Sequence, residues 1–168
     1  GVLFNKDKTT LIQYPIGNTR TSYTIPNSVT LIDTCAFDNC DMLISVTIPS
    51  SVITINYSAF YDCDSLTDVT IFPGVAIIGE RAFAYSDSLT SIKLPDGVTV
   101  IGFCSFLECE SLTSITIPES VTSIESNAFD DCNSLKDVYY SGTEKQWNRI
   151  SIGYYNSPLL NATRHYNY

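Results

Sequence analysis

Apolar and polar residues alternate in short bursts along the chain, and the bursts return every 23 positions. "SVTIPSSVITINYSAFYDCDSLT" from Ser45, "SIKLPDGVTVIGFCSFLECESLT" from Ser91 and "SITIPESVTSIESNAFDDCNSLK" from Ser114 are three renderings of one unit. Units start at Ser22, Ser45, Asp68, Ser91 and Ser114 without insertion or deletion, and a sixth start falls at Asp137. Positions two and four of each unit are apolar, as in Val46 and Ile48, and this alternation of period two predicts a short strand. Pro26, Pro49, Pro95 and Pro118 end the strand because proline cannot extend a ladder; in the third unit the proline has slipped one place, to Pro73. Position eight is always valine and position eleven always isoleucine. Position sixteen is always phenylalanine (Phe37, Phe60, Phe83, Phe106, Phe129), with Ala or Ser before it. Position twenty-two is always leucine. A unit of this size cannot bury its apolar side alone, so copies must stack and each position becomes a column running up the stack.

The pattern predicts a mainly β fold with short helical turns. Five 23-residue repeats form a solenoid whose strands are parallel and make one sheet on one face. Coils are expected about 4.8 Å apart. The segment between positions twelve and nineteen, for example "ESNAFDDC", suits one helical or 3₁₀ turn.

Leu43-x-x-Val46-x-Ile48 has the L-x-x-L-x-L spacing of a leucine-rich repeat. With units reading S-x-T-I-P-x-x-V-x-x-I-x-x-x-A-F-x-x-C-x-S-L-T, residues 22–136 resemble the BspA-like leucine-rich repeats of bacterial surface proteins. Residues 1–21, opening "GVLFNKDKTTLIQYP", are similar to a hairpin-like partial unit of such arrays. Residues 137–168, with "VYYSGTEKQWNRISIG" and "SPLLNATRHYNY", look like the capping segment that closes them. The resemblance implies a secreted or wall-attached, non-enzymatic module for adhesion, binding a host or bacterial surface protein or a glycan. It carries over no catalytic residue and no cofactor. A structural spacer within a larger wall-attached protein is the other reading.

Caps follow from the stack itself, since a terminal coil needs a cover. Trp147 and Ile150 in "TEKQWNRISI" are expected to cover the last coil. No comparable cover precedes Ser22, which reads as the C-terminal part of a longer array and implies weak self-association through the N-terminal end.

Composition excludes more than it selects. The net charge is −9, with nine Lys and Arg scattered among 18 Asp and Glu, which argues against a nucleic-acid groove. No run of 18 apolar residues offers a membrane span. Cys40, Cys63, Cys109 and Cys132 share position nineteen, and Cys35 and Cys104 share position fourteen. They read first as small apolar side chains in the core, although coil spacing puts neighbours such as Cys40 and Cys63 within disulfide reach. A zinc site would need converging ligands rather than a column. Asp41, Asp64, Asp87 and Glu110 recur at position twenty, where turn chemistry is favoured over a calcium ladder. His165, the only histidine, lies in the tail outside the repeat columns, and no hydrolase, metalloprotease or nucleotide-binding motif occurs.

The remaining candidates are outward positions. Thr24, Thr47, Thr70, Lys93 and Thr116 occupy position three and project from the strand face. Outward threonine is good strand chemistry. Lys93 beside Asp68 suggests a cross-strand ion pair. Tyr61 and Tyr85, at positions seventeen and eighteen, are the aromatic residues of the middle turns. Together these seven form the candidate binding surface, since an exposed aromatic patch marks a binder rather than a spacer.

Overall fold

A computed structural model describes all 168 residues. The elements in chain order are β1 (Leu3–Phe4), β2 (Thr10–Gln13), β3 (Ser22–Thr24), β4 (Leu31–Ile32), β5 (Ser45–Ile48), β6 (Thr54–Ile55), β7 (Asp68–Ile71) and β8 (Ile77–Ile78). They continue with β9 (Ser91–Lys93), β10 (Val100–Ile101), β11 (Ser114–Ile117), β12 (Ser123–Ile124), β13 (Asp137–Tyr140), α1 (Glu144–Trp147), β14 (Ser151–Ile152), α2 (Ser157–Asn161) and β15 (Thr163–Tyr166). The chain winds as a solenoid, and each coil contributes one longer strand from positions one to four and one two-residue strand at positions ten and eleven.

Two parallel strand faces therefore run up the stack, where the repeat pattern predicts one. The short strands join in the order β1-β2-β4-β6-β8-β10-β12-β14. The longer strands form β3-β5-β7 and β9-β11-β13-β15. Register is the repeat itself: Val46 lies beside Val69 and Ile55 beside Ile78. The five repeats extend to about seven turns, because β13 pairs with β11, β14 with β12 and β15 with β13. At the other end β2 joins β4, and β1 lies antiparallel along β2.

The third side of each coil is a ladder of another kind. Backbone N–H groups at positions fourteen, sixteen and eighteen donate to the next coil, as in Cys35 to Tyr57, Phe37 to Ala59 and Asn39 to Tyr61 at 3.0, 2.7 and 2.9 Å. Positions fourteen and eighteen achieve this by adopting left-handed backbone in all five units, from Cys35 and Asn39 (φ 54°) to Asn127 and Asp131 (φ 57° and 55°). These segments are turns, and the two helices fall instead at 144–147 and 157–161.

Inside, the columns become stacks. The five phenylalanines are fully buried, and neighbouring rings lie 4.6–5.5 Å apart and within 14° of parallel. Tyr14 continues the stack below Phe37 at 5.0 Å. The ring spacing equals the coil spacing, so each ring fills one layer.

The cysteine column is a hydrogen-bond column. All six thiols are free. Cys63 donates to the Phe37 carbonyl of the preceding coil at 3.0 Å, Cys109 to Phe83 at 3.1 Å and Cys132 to Phe106 at 2.9 Å. Ser86, the one serine at this position, donates in the same way to Phe60 at 3.2 Å. The position thus requires a small side chain with a donor. Burial, reinforced by nearby Asp38, pushes the Cys40 thiol up to about 12, and burial pushes the Cys132 thiol to about 12. These sulfurs stay protonated, as donors must, and are poor nucleophiles. Cys109→Ser should therefore fold with a loss below about 1 kcal/mol, whereas Cys109→Ala, which leaves the Phe83 carbonyl with only the Ser86 N–H at 3.3 Å and opens a small void, should cost about 1–2 kcal/mol. Chemical denaturation of both variants checks this, and equal losses would mean that the bond contributes nothing.

Candidate binding surfaces

The seven predicted surface residues fall on two different sides of the solenoid. Thr24, Thr47, Thr70, Lys93 and Thr116 occupy one column of the longer-strand face, each on an exposed or half-buried position. Tyr61 and Tyr85 lie on the turn side, where their rings meet at 5.2 Å. No single ligand patch unites the two sets.

The strand-face column is longer than the repeat pattern suggests. Tyr139 follows Thr116 in register, and His165 follows Tyr139. His165 is therefore inside the ladder and not in an unattached tail. Its ring stacks on Tyr139 at 4.7 Å, and its Nε2 lies 2.8 Å from Asp137 Oδ1. Tyr168 packs on the same tyrosine at 4.5 Å. Tyr139 occupies position three of the unit starting at Asp137, so that start was the available signal. His165 had none, because the last coil departs from the 23-residue spacing.

Between the third and fourth coils the strand face opens. β7 and β9 lie side by side but belong to separate sheets. The break falls where the proline has slipped one place. Position five of this coil is Phe72, whose N–H donates down to Ile48 at 2.9 Å, while Leu94 at position four of the next coil donates up to Thr116 at 3.0 Å. Each strand is held by its outer neighbour. Pro73-Gly74 then turns so close to the coil below that a side chain at Gly74 would collide with the Ser50 carbonyl oxygen.

The opening exposes apolar surface that other coils cover. Phe72 is 50% exposed, and Val69 is only partly buried where Val46, Ile92 and Ile115 are buried. The result is a cleft of about 630 Å³ lined among others by Phe72, Pro73, Lys93, Asp96, Thr116 and Tyr168. Lys93 forms no ion pair with Asp68, correcting the cross-strand expectation; the pairs within reach are Arg81–Glu80 at 3.6 Å and His165–Asp137 at 2.8 Å. Asp68 instead accepts from the Thr67 hydroxyl at 2.8 Å. Lys93 is thus a free cation in a cleft with two aromatic rings.

On the turn side, Tyr57, Tyr61, Arg81, Tyr85 and Leu107 surround a shallow hollow of about 300 Å³. Arg81 Nη1 donates to the Tyr57 hydroxyl at 3.0 Å, which holds the guanidinium over the hollow and raises its pKa further. Tyr57 and Arg81 escaped the repeat reading because positions thirteen and fourteen are variable and carry no apolar period.

The comparisons with known proteins come to the same scaffold. The family model described as "BspA type Leucine rich repeat region" matches residues 17–136 in six copies. The chain belongs to that family. A leucine-rich cell-surface protein from Faecalibacterium prausnitzii A2-165 is 39% identical with a TM-score of 0.83, over 89% of this chain and 40% of that one. A leucine-rich repeat protein from Eubacterium ventriosum is 29% identical with a TM-score of 0.79, over 84% of this chain and 38% of that one. The T. pallidum leucine-rich repeat protein is 29% identical with a TM-score of 0.74, over 91% of this chain and 78% of that one. The BspA-type chain therefore spans about two fifths of the first two relatives. No curated protein matches it. No helix is long and apolar enough to cross a membrane.

Proposed function

We propose that this BspA-type array is a non-enzymatic adhesion module, extracellular or attached to the cell wall, that binds a surface protein or glycan through its longer-strand face. The observation that carries the reading is the cleft between β7 and β9. A scaffold built from five equal repeats breaks its own ladder at one place, and there it exposes Phe72, Tyr168 and an unpaired Lys93. An aromatic surface beside a free cation is costly to leave in water and useful only against a partner. Thr70 and Thr116 supply hydroxyl groups on either side of the opening. A spacer gains nothing from such a break.

The test is a screen of extracellular-matrix proteins and glycans against the immobilised chain and three variants. Phe72→Ala and Lys93→Glu should each weaken the binding partner's affinity by at least about tenfold, while Thr24→Ala, two coils away, should leave it unchanged. Phe72 is half exposed, so its truncation should cost less than about 1 kcal/mol of stability. No binder up to high micromolar concentration would return the array to the role of a spacer.

A further inference from the structure

The turn side carries residues that its backbone does not want. Positions fourteen and eighteen are left-handed in every unit, with φ between 50° and 61°. In the other units these positions hold Asn39, Asp62, Asn127 and Asp131, the residue types that accept this conformation most readily, and Cys35, Ser58, Cys104 and Glu108, none of them aromatic or cationic. In the third unit both positions carry large side chains, Arg81 (φ 53°) and Tyr85 (φ 61°). Neither fills the core, because both stand half-buried over the hollow shared with Tyr57, Tyr61 and Leu107. Strain retained at two adjacent turns without a packing return is a mark of a functional surface. Tyr and Arg are also the residues that dominate binding energy where proteins meet.

The charges beside the hollow say what fits it. Asp38 lines it, Asp62 acts on Tyr61, and Glu108 acts on Tyr85. None of these carboxylates belongs to either ion pair of the molecule. Burial raises the Asp62 and Asp87 carboxyls, and their acidic neighbours raise them further, while the one cation at the hollow, Arg81, is taken up by Glu80 at 3.6 Å and the Tyr57 hydroxyl at 3.0 Å.

We infer that the Tyr57–Tyr61–Arg81–Tyr85 hollow is a protein-docking hot spot whose partner inserts an apolar side chain flanked by Lys or Arg. The rings and Leu107 take the anchor, and the carboxylates around them take the flanking cations. An acidic glycan meets repulsion there, and a neutral one leaves the carboxylates unrelieved. This surface is separate from the strand-face cleft, so the two proposals stand or fall independently.

A displayed library of random peptides panned on the whole chain tests the inference, with a glycan array run in parallel. Enriched peptides should carry one large apolar residue between basic residues and lose at least about tenfold in affinity on Tyr85→Asn. The same peptides should be indifferent to Lys93→Glu and should bind several-fold more weakly when salt rises from about 50 to about 300 mM. Tyr85→Asn should keep the melting temperature within about 2 °C, since the lost contact with Tyr61 is offset by a residue suited to the backbone. Enrichment without basic residues, binding that ignores Tyr85→Asn, a glycan captured through Tyr85, or no enrichment at all would each overturn the inference. A collapse of the fold on Tyr85→Asn would also overturn it, by making Tyr85 part of the scaffold.

Discussion

Phe83→Ala should destabilise the protein by about 3–5 kcal/mol, at the upper end for a single core truncation. Phe83 is fully buried, stacked on Phe60 at 5.2 Å and on Phe106 at 5.5 Å. In many cores the walls relax into such a hole and reduce the loss. Here they are held apart, because the backbone beside each ring is bonded to the next coil, as Phe83 N–H is to the Ser105 carbonyl at 2.8 Å. The void left by the ring should therefore stay open. Thr70→Ala, on the exposed strand face, should cost less than about 1 kcal/mol by comparison. Guanidinium titration of the two variants decides the matter, and similar losses would mean that the inward and outward columns have been misassigned.

The second large effect is expected at the far end of the stack, from Asn156. The last phenylalanine, Phe129, has no backbone carbonyl of a further coil above its N–H. Asn156 Oδ1 replaces it, accepting that N–H at 3.0 Å. Its Nδ2 donates to the carbonyls of Glu125 at 2.9 Å and Gly153 at 3.0 Å, and the residue is 1% exposed. One side chain thus closes the turn-side ladder in both directions, while Trp147 packs edge-on against Tyr140 at 5.3 Å to close another side. Asn156→Leu leaves the buried Phe129 N–H and the Gly153 carbonyl without partners and the Glu125 carbonyl with only the long bond from Ala128 N–H at 3.4 Å, and should cost about 2–4 kcal/mol. Asn156→Asp can still accept from Phe129 but aims its second oxygen at two carbonyls. Burial and that repulsion raise its folded-state pKa above the unfolded value of about 3.9. The folded protein then holds a proton that the unfolded chain releases, so stability falls as pH rises above about 4. Melting curves at pH 4 and pH 7 should show the Asp variant close to the parent at the lower pH and well below it at the higher. A pH-independent difference would remove Asn156 from its closing role.

Much of this architecture is legible in the sequence because a solenoid interacts mainly with itself one period away. A residue at position sixteen meets position sixteen above and below, so an unbroken phenylalanine column already states that it is buried. The same logic exposes the strand, its proline stop and the valine and isoleucine columns. The family follows from those positions, since they are the structural motif. The short second strand escaped because two residues carry no alternation, and the turns escaped because nothing in Cys, Ser, Asn, Asp and Glu announces a left-handed backbone by itself.

What depended on the folded stack is where the period fails. Pro73 displays its slip in the sequence, but only the folded stack shows that β7 and β9 part there and leave a cleft. Tyr57, Tyr61, Arg81 and Tyr85 sit at four different positions of two units, and the stacking alone makes them neighbours. Asn156 reaches backbone 27 and 31 residues earlier, off the repeat spacing, in a coil lengthened by α1. Repetition can be read along a line because every copy faces the same neighbour. Exceptions cannot, since their partners are set by distance in space and not by the period.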